Sequence, residues 1–152
     1  MTANYSEAVD QMYGLFTAQF TANSAAIVGY VPEIRYLDDG VATEPDRSKV
    51  WVRISPQPIT REQASLSNDV FAKGKKMYTT GGLLFIQVFF PKSYANAAAV
   101  SRKLGQMIVE IFNGTSTEGC VWFRNTRVYP VPPEELFYRS NVVTEYQHDE
   151  VD

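Results

Sequence analysis

Cysteine and histidine are nearly absent from this chain of 152 residues, which has one of each. Cys120 therefore has no partner for an intrachain disulfide, and the chain lacks the ligands for a zinc site or a Cys-His nucleophile. Cys120 is followed by Val121 and Trp122 in a predicted strand, where we expect a small buried side chain. His148 stands near the C-terminus beside Asp149, where we expect a solvated and frayed tail.

Net positive charge and long apolar runs are also missing. Fourteen basic residues against seventeen acidic ones give a net charge of −3, which provides no overall attraction for a polyphosphate backbone. No segment approaches the roughly 18 apolar residues of a membrane span, and the first ten residues lack the pattern of a signal peptide. We therefore expect a protein with no membrane partner that is made and kept in a cytoplasm.

Aromatic side chains, in contrast, are abundant. Nine Tyr and nine Phe exceed what the core of a domain of this length requires, and both types are enriched where protein surfaces meet. A chain of this length fits one domain, spanning residues 1–152, that can fold without a metal or a disulfide. The composition favours a subunit of an assembly.

Two amphipathic helices are predicted. The first runs from Tyr5 to about Phe20, with Asn4 and Glu7 spaced as a capping box. The second follows Ser93, a plausible cap, and ends at Asn113-Gly114. Its apolar stripe consists of Val100, Leu104, Met107, Ile108, Ile111 and Phe112.

Four strands follow from alternation and apolar runs. They cover residues 49–55, 83–90, 121–129 and 137–147, and the connection at residues 21–49 has room for one short strand more. Pro56 and Pro58 are expected to end the first of them. The order predicts an α+β fold, with two helices packed on one face of a mainly antiparallel four- to five-stranded sheet and residues 83–90 at its centre.

A long polar loop is predicted at residues 57–80, and we expect it to be flexible in the free subunit. It carries the chain's local basic patch: Arg61, Lys73, Lys75 and Lys76. Gly74-Lys75-Lys76 lacks the second glycine and the Ser or Thr of a phosphate loop. This patch is either a solvated face of the loop or a surface that meets an acidic neighbouring subunit or DNA passing through a pore.

Four further residues are candidates for contact with other subunits or with a tube. Arg124 and Arg127 should lie off the core face of their strand. Phe137 and Tyr138 follow a stiff joint rich in proline, where we expect both rings to be exposed. Arg and Tyr are residue types that often supply interface energy.

Several segments together resemble the tail terminator-like proteins of tailed bacteriophages and prophages, over about residues 50–150. They are the apolar strand at 82–91, the helix that finishes in Ile111-Phe112, the strand at 119–123 and the closing strand at 138–146. The chain departs from the family where glycines often follow the proline of the apolar strand, since it has Lys92-Ser93-Tyr94 there.

The resemblance implies a structural protein of the virion tail, assembled in the host cytoplasm and without enzymatic activity. Copies of such a protein form a hexameric ring that binds the last ring of tail tube protein and stops its polymerisation. The other face of the ring meets the head completion or connector protein, and DNA only passes through the pore. The resemblance implies no cofactor and no metal.

Three alternatives stay open. A head–tail connector or neck protein and the tube subunit itself are rings of similar small units. A soluble enzyme or small-molecule binding domain needs convergent polar groups in a pocket, and the sequence names none. A single-stranded DNA binder needs a basic face with exposed aromatics, which Arg124, Arg127 and Arg139 with Trp122 and Tyr138 could form.

Overall fold

The sheet at the centre of this fold has six strands, of which four match the predicted strands and a fifth, at Glu33–Tyr36, lies in the connection at residues 21–49 where one short strand is expected. A computed structural model describes residues 2–37, 44–63, 76–118, 120–132 and 136–151. The helices are α1 (Tyr5–Asn23), α2 (Ala25–Val28) and α3 (Ala97–Phe112). The strands are β1 (Glu33–Tyr36), β2 (Trp51–Gln63), β3 (Met77–Pro91), β4 (Ser116–Thr117), β5 (Val121–Pro130) and β6 (Phe137–Val151).

The strand order is β1-β2-β3-β6-β5-β4. All pairings are antiparallel except that of β1 with β2, so the predicted mixed α+β class and mainly antiparallel sheet are confirmed. The predicted count of four to five strands is one short of the observed six, because β4 has only two residues. A run of two residues gives too little alternation to be recognised in the sequence.

Strand β3 lies between β2 and β6, which confirms that residues 83–90 form the centre of the sheet. Its even-numbered residues, Leu84, Ile86, Val88 and Phe90, are buried beneath the helices. The predicted stripe of α3 packs on this face, with Leu104, Ile108, Ile111 and Phe112 all in the core. Burial of these side chains holds α3 against the sheet.

Helix α1 begins at the predicted capping box. The amide of Glu7 donates to the side chain of Asn4 at 2.8 Å, and the Glu7 carboxylate accepts from the Asn4 amide. Phe16 stacks on Phe20, and it also faces Phe112 of α3 at 6.2 Å between ring centroids. Helix α3 has no side-chain cap, since its N-cap is Asn96 in the left-handed region and not Ser93.

Strand β2 continues through Pro56 and Pro58, so the prediction that these residues end it is wrong. Residues 57–63 belong to β2 and residues 77–80 to β3, so the prediction of a loop is wrong for both stretches. Among the described strands only β1 pairs with β2 on its outer side, at residues 51–54, so the prolines lie on an edge of the described sheet. Residues 64–75 of the predicted loop are outside the described residues.

Pro56 and Pro58 are tolerated within β2 because their backbone nitrogens point away from β3. The carbonyl of Ile54 accepts from the amide of Leu37, on the outer side of β2. Backbone groups of successive residues point to opposite sides of a strand, so residues two apart point to the same side. Pro56 and Pro58 therefore direct their nitrogens outward, as Ile54 does. No bond to β3 is lost at either position, which is the arrangement tolerated on edge strands.

The C-terminal segment is a strand, not a frayed tail. Strand β6 extends to Val151 and pairs with β3 throughout. The amide of Ala3 donates to the carbonyl of Asp149 at 2.9 Å, which ties the N-terminal segment to the end of β6. Cys120 is buried, as predicted. His148 is also buried, so the prediction that it lies in a solvated tail is wrong. Among the described residues, no helix is long and apolar enough to cross a membrane.

Candidate assembly surface

The described helices cover one face of the sheet, and no described helix lies on the other. The uncovered side, called here the helix-free face, carries the alternate residues of each strand, which the pairing registers align. It is formed by Arg35 of β1; Trp51, Arg53 and Ser55 of β2; Leu83, Phe85, Gln87 and Phe89 of β3; Arg139, Asn141, Val143 and Glu145 of β6; and Trp122, Arg124, Arg127 and Tyr129 of β5.

Three aromatic rings form a cluster at one end of this face. Trp51 stacks on Phe89, directly opposite on the neighbouring strand, with 4.0 Å between ring centroids. Phe137 meets both rings edge-on at 6.4 and 6.0 Å. Phe137 is thus 9% exposed, and the prediction that it lies in the open is wrong. The cause is long-range pairing, since Phe137 lies opposite Pro91 in the register.

Arginine side chains cover the cluster. The guanidinium carbons of Arg53 and Arg139 lie 5.7 and 5.4 Å from the centre of the Phe89 ring. Arg53 also donates to the side-chain oxygen of Gln87 at 2.6 Å. Both guanidinium groups thus lie within cation–π distance of the Phe89 ring. This end of the face is apolar below and positively charged above.

The middle and far side of the face hold large apolar side chains that the subunit leaves partly uncovered. Leu83 and Phe85 are half-buried at the centre of the sheet, where core residues would be fully covered. On β5, Trp122 is 43% and Tyr129 is 58% exposed. Exposed apolar and aromatic side chains that share one face are typical of contact surfaces.

A bulge in β5 presents Arg124 and Arg127. The register shifts between these residues, and Asn125 between them has a φ of 55°. The side-chain amide of Asn125 donates to Glu145, and Arg127 donates to the carbonyl of Asn125. Both arginines are exposed, and neither forms an ion pair with a described acidic residue. Bulges commonly redirect side chains in this way.

A hollow of about 370 Å³ lies beside this bulge. It forms where Gly81 leaves the helix-free face without a side chain. Leu83, Arg124 and Glu145 are in its wall. The hollow is therefore lined by apolar, basic and acidic groups together.

A polar cluster lies at the same end of the sheet on the helix side. The Nδ1 of His148 donates to the carbonyl of Ala3 at 3.0 Å, while its Nε2 has no hydrogen-bond partner among the described residues. Burial raises the pKa of the Tyr146 phenol above its ordinary value, and the nearby Tyr5 adds to the effect. The buried His148 contacts backbone and Tyr146 rather than solvent.

The predicted contact residues do not form one site. Arg124, Arg127 and Phe137 are on the helix-free face. Arg61 is on the helix side, where it pairs with Glu150 at 2.6 Å and lies over the ring of Tyr78.

The remaining candidates lie elsewhere. Tyr138 is also on the helix side, 37% exposed and beneath Lys92, so it lies across the sheet from Arg127. Lys76 directly precedes β3. Lys73 and Lys75 are outside the described residues.

Three residues of this face, Trp51, Arg53 and Phe85, are not among the predicted contact residues, and Arg139 is predicted only for the nucleic-acid alternative. Alternation does place Trp51 and Arg53 opposite the core residues of β2, so that signal was available. Their neighbours on β3 and β6 are brought to them only by the strand register. Within the described parts of the chain, no group of three or more acidic, histidine or cysteine side chains could hold a metal ion.

No family model and no curated protein matches this chain. The chain is similar to solved structures, among them a protein whose name states no function. That structure superposes with a TM-score of 0.60 at 14% sequence identity, and the match covers 92% of this chain and 94% of the other. At this identity the likeness concerns the fold alone.

Proposed function

We propose that this protein is a tail terminator-like structural protein of a tailed phage, and that it acts by assembling rather than by catalysis. The observation that supports assembly is the helix-free face. A single subunit leaves Leu83, Phe85, Trp122 and Tyr129 partly uncovered there, beside exposed arginines. A protein partner would bury these apolar groups and pair the charges.

The resemblance of the sequence to tail terminator-like proteins supports a position for this assembly in the virion tail. The subunits form a ring, hexameric in the family, at the head-proximal end of the tail tube. One face of the ring binds the last tube subunits and ends their polymerisation, and the other offers a surface to the head completion protein. DNA passes through the pore, and no cofactor takes part. A connector, a neck protein or the tube subunit would use the same surface.

The direct test adds purified protein to polymerising tail tube protein and images the products by electron microscopy. The proposal expects rings at one end of each tube, and tubes that shorten as more protein is added. Two variants, one on each side of the sheet, test which side forms the contacts within the ring. We expect Arg127→Ala, on the helix-free face, to weaken ring formation about tenfold or more, because central arginine anchors commonly contribute that much. Tubes whose ends and lengths are unaffected by the wild-type protein would falsify the terminator function.

Tyr138→Ala is the comparison variant for that experiment. Because Tyr138 lies across the sheet, its loss should leave ring formation intact and reveal whether the helix side contacts the tube. Circular dichroism checks that both variants keep their fold. Equal effects of the two variants would contradict a role of the helix-free face in ring formation.

Binding of single-stranded nucleic acid is the second candidate function. Arg124, Arg127 and Arg139 share the helix-free face with Trp122, which is the combination such a site requires. Tyr138 is not part of it. Fluorescence anisotropy with a labelled oligonucleotide at increasing salt distinguishes the two, since phosphate contacts predict affinity that falls steeply with salt.

A further inference from the structure

Helix α1 presents an acidic surface on the side of the molecule opposite the helix-free face. Its charged residues are Glu7 and Asp10, and no basic residue occurs between Tyr5 and Asn23. Both carboxylates are exposed, and neither forms an ion pair with a described residue. Their side chains follow the same outward line as Gly14, one turn further along α1.

Gly14 has no explanation within the subunit. An alanine would be about 1 kcal/mol better in a helix interior. A Cβ built at Gly14 meets nothing within 4 Å, and the backbone there is not in the left-handed region. Neither close packing nor backbone geometry inside the subunit requires a glycine at this position. Its effect is to leave a flat strip on the outside of α1, where a neighbouring surface could approach closely.

The two surfaces complement each other in charge. Arg124 and Arg127 project from the helix-free face, Glu7 and Asp10 project from α1, and none of the four forms an ion pair with another described residue. The helix-free face also supplies half-buried apolar side chains, while α1 supplies the flat strip at Gly14. Each subunit thus carries both halves of one interface, on opposite sides of its sheet.

We propose that the helix-free face of one copy covers the outward side of α1 of the next copy. This inference rests on the proposed function and states which surfaces meet in the ring. The two surfaces differ, so the contact is heterologous, and repeated contacts of that kind close into a ring when the rotation between copies allows it. A second copy fits better than nucleic acid, because the apolar Leu83 and Phe85 would lie under a phosphate backbone.

The test uses two variants that should assemble only with each other. The sheet variant, Arg124→Glu with Arg127→Glu, places negative charge against a negative helix. The helix variant, Glu7→Gln with Asp10→Lys, places positive charge against a positive face. Glutamine at position 7 can keep the capping hydrogen bond to Asn4, so α1 should remain folded.

We expect each variant alone to lose self-association, measured by sedimentation, by about tenfold or more in dissociation constant. Mixed in equal amounts, they should assemble again, because every contact in an alternating ring then joins opposite charges. Assembly of either variant alone at wild-type affinity would overturn the proposal, and so would a mixture that stays monomeric. Wild-type protein that is monomeric up to its solubility limit would overturn it as well.

Gly14→Gln provides an independent steric test. We expect it to raise the melting temperature of the subunit, because glutamine favours a helix, and to reduce self-association through its bulk. Gly14→Ala should raise the melting temperature with a smaller effect on association. A Gly14→Gln protein that assembles like the wild type would place the contact elsewhere on the molecule.

These outcomes separate the interface from the function. Self-association through the two surfaces, together with failure to occupy tube ends, would refute the terminator role and leave the interface standing. If the sheet and helix variants kept wild-type self-association and bound to tube ends, the proposed interface would be refuted and the terminator role would stand.

Discussion

Gly82 shows how closely the backbones of the central strands approach one another. A Cβ at this position would lie 2.2 Å from the carbonyl oxygen of Gln57 and 2.8 Å from the Tyr146 hydroxyl. At Gly81 the nearest atom would be the Thr60 hydroxyl oxygen, at 3.2 Å. The first is a backbone clash that requires β2 to move, whereas the second is relieved by a side-chain rotation. Close approach of the backbone therefore requires a glycine at position 82, whereas the nearest atom at Gly81 belongs to a side chain that can move.

The first prediction compares these residues. Gly82→Ala should lower the free energy of unfolding by about 3 kcal/mol, because overpacking against backbone shifts a strand. Gly81→Ala should change it by less than about 1 kcal/mol, since only a side chain must give way. Urea denaturation followed by circular dichroism measures both. Equal stability of the two variants would mean that the approach at Gly82 is not as close as described.

Strand β3 has two faces with different burial, and the predictions at the scale of elements follow from that. Ile86→Ala removes a fully buried side chain beneath the helices and should reduce the free energy of unfolding by about 3 kcal/mol. Phe85→Ala, on the half-buried helix-free face, should destabilise the isolated subunit less and weaken self-association more. Calorimetry and sedimentation on both proteins give the comparison. A loss below about 1 kcal/mol for Ile86→Ala would contradict the central position of β3.

The elements that sequence predicted correctly are those with a strong local signal. Helix α1 has its capping box and stripe, and α3 has its stripe and the stop at Asn113-Gly114. The wrong predictions concern residues whose environment is set by a segment that is distant in the sequence. Pro56 reads as the end of a strand unless it is known that no described strand pairs with the outer side of β2 beyond Ile54. His148 reads as part of a loose tail because Ala3, which holds it, is at the other end of the chain.

At the scale of the whole molecule, a net charge of −3 hides an uneven distribution. Five arginines lie on the helix-free face, while α1 carries only acidic charge. Composition argues against nucleic acid as the main partner, but it does not reveal that one face is basic. The candidate site is predictable only in part for this reason, since alternation indicates Arg124 and Arg127, whereas the register is needed to place Arg53 and Arg139 beside the aromatic cluster.

The last prediction concerns salt. If opposite charges join neighbouring copies, raising sodium chloride from about 0.1 M to about 1 M shortens the screening length from about 10 Å to about 3 Å and should weaken self-association. Apolar contacts alone would be unaffected or strengthened under these conditions. Sedimentation at both salt concentrations, with Arg124→Glu/Arg127→Glu as the comparison, decides between them. Association that does not decrease with salt would argue against the charged contacts.

The two prolines of β2 have a consequence for how this protein behaves when it is crowded. An exposed strand edge recruits other strands through its free amides, and this is a common route to fibrils. Along residues 55–63 no described strand covers the outer edge, yet Pro56 and Pro58 remove two amides from it. A foreign strand aligned there would find its hydrogen-bonding ladder interrupted at alternate positions. We therefore expect edge-to-edge pairing of two copies, and growth into an endless fibre, to be disfavoured along this stretch of β2.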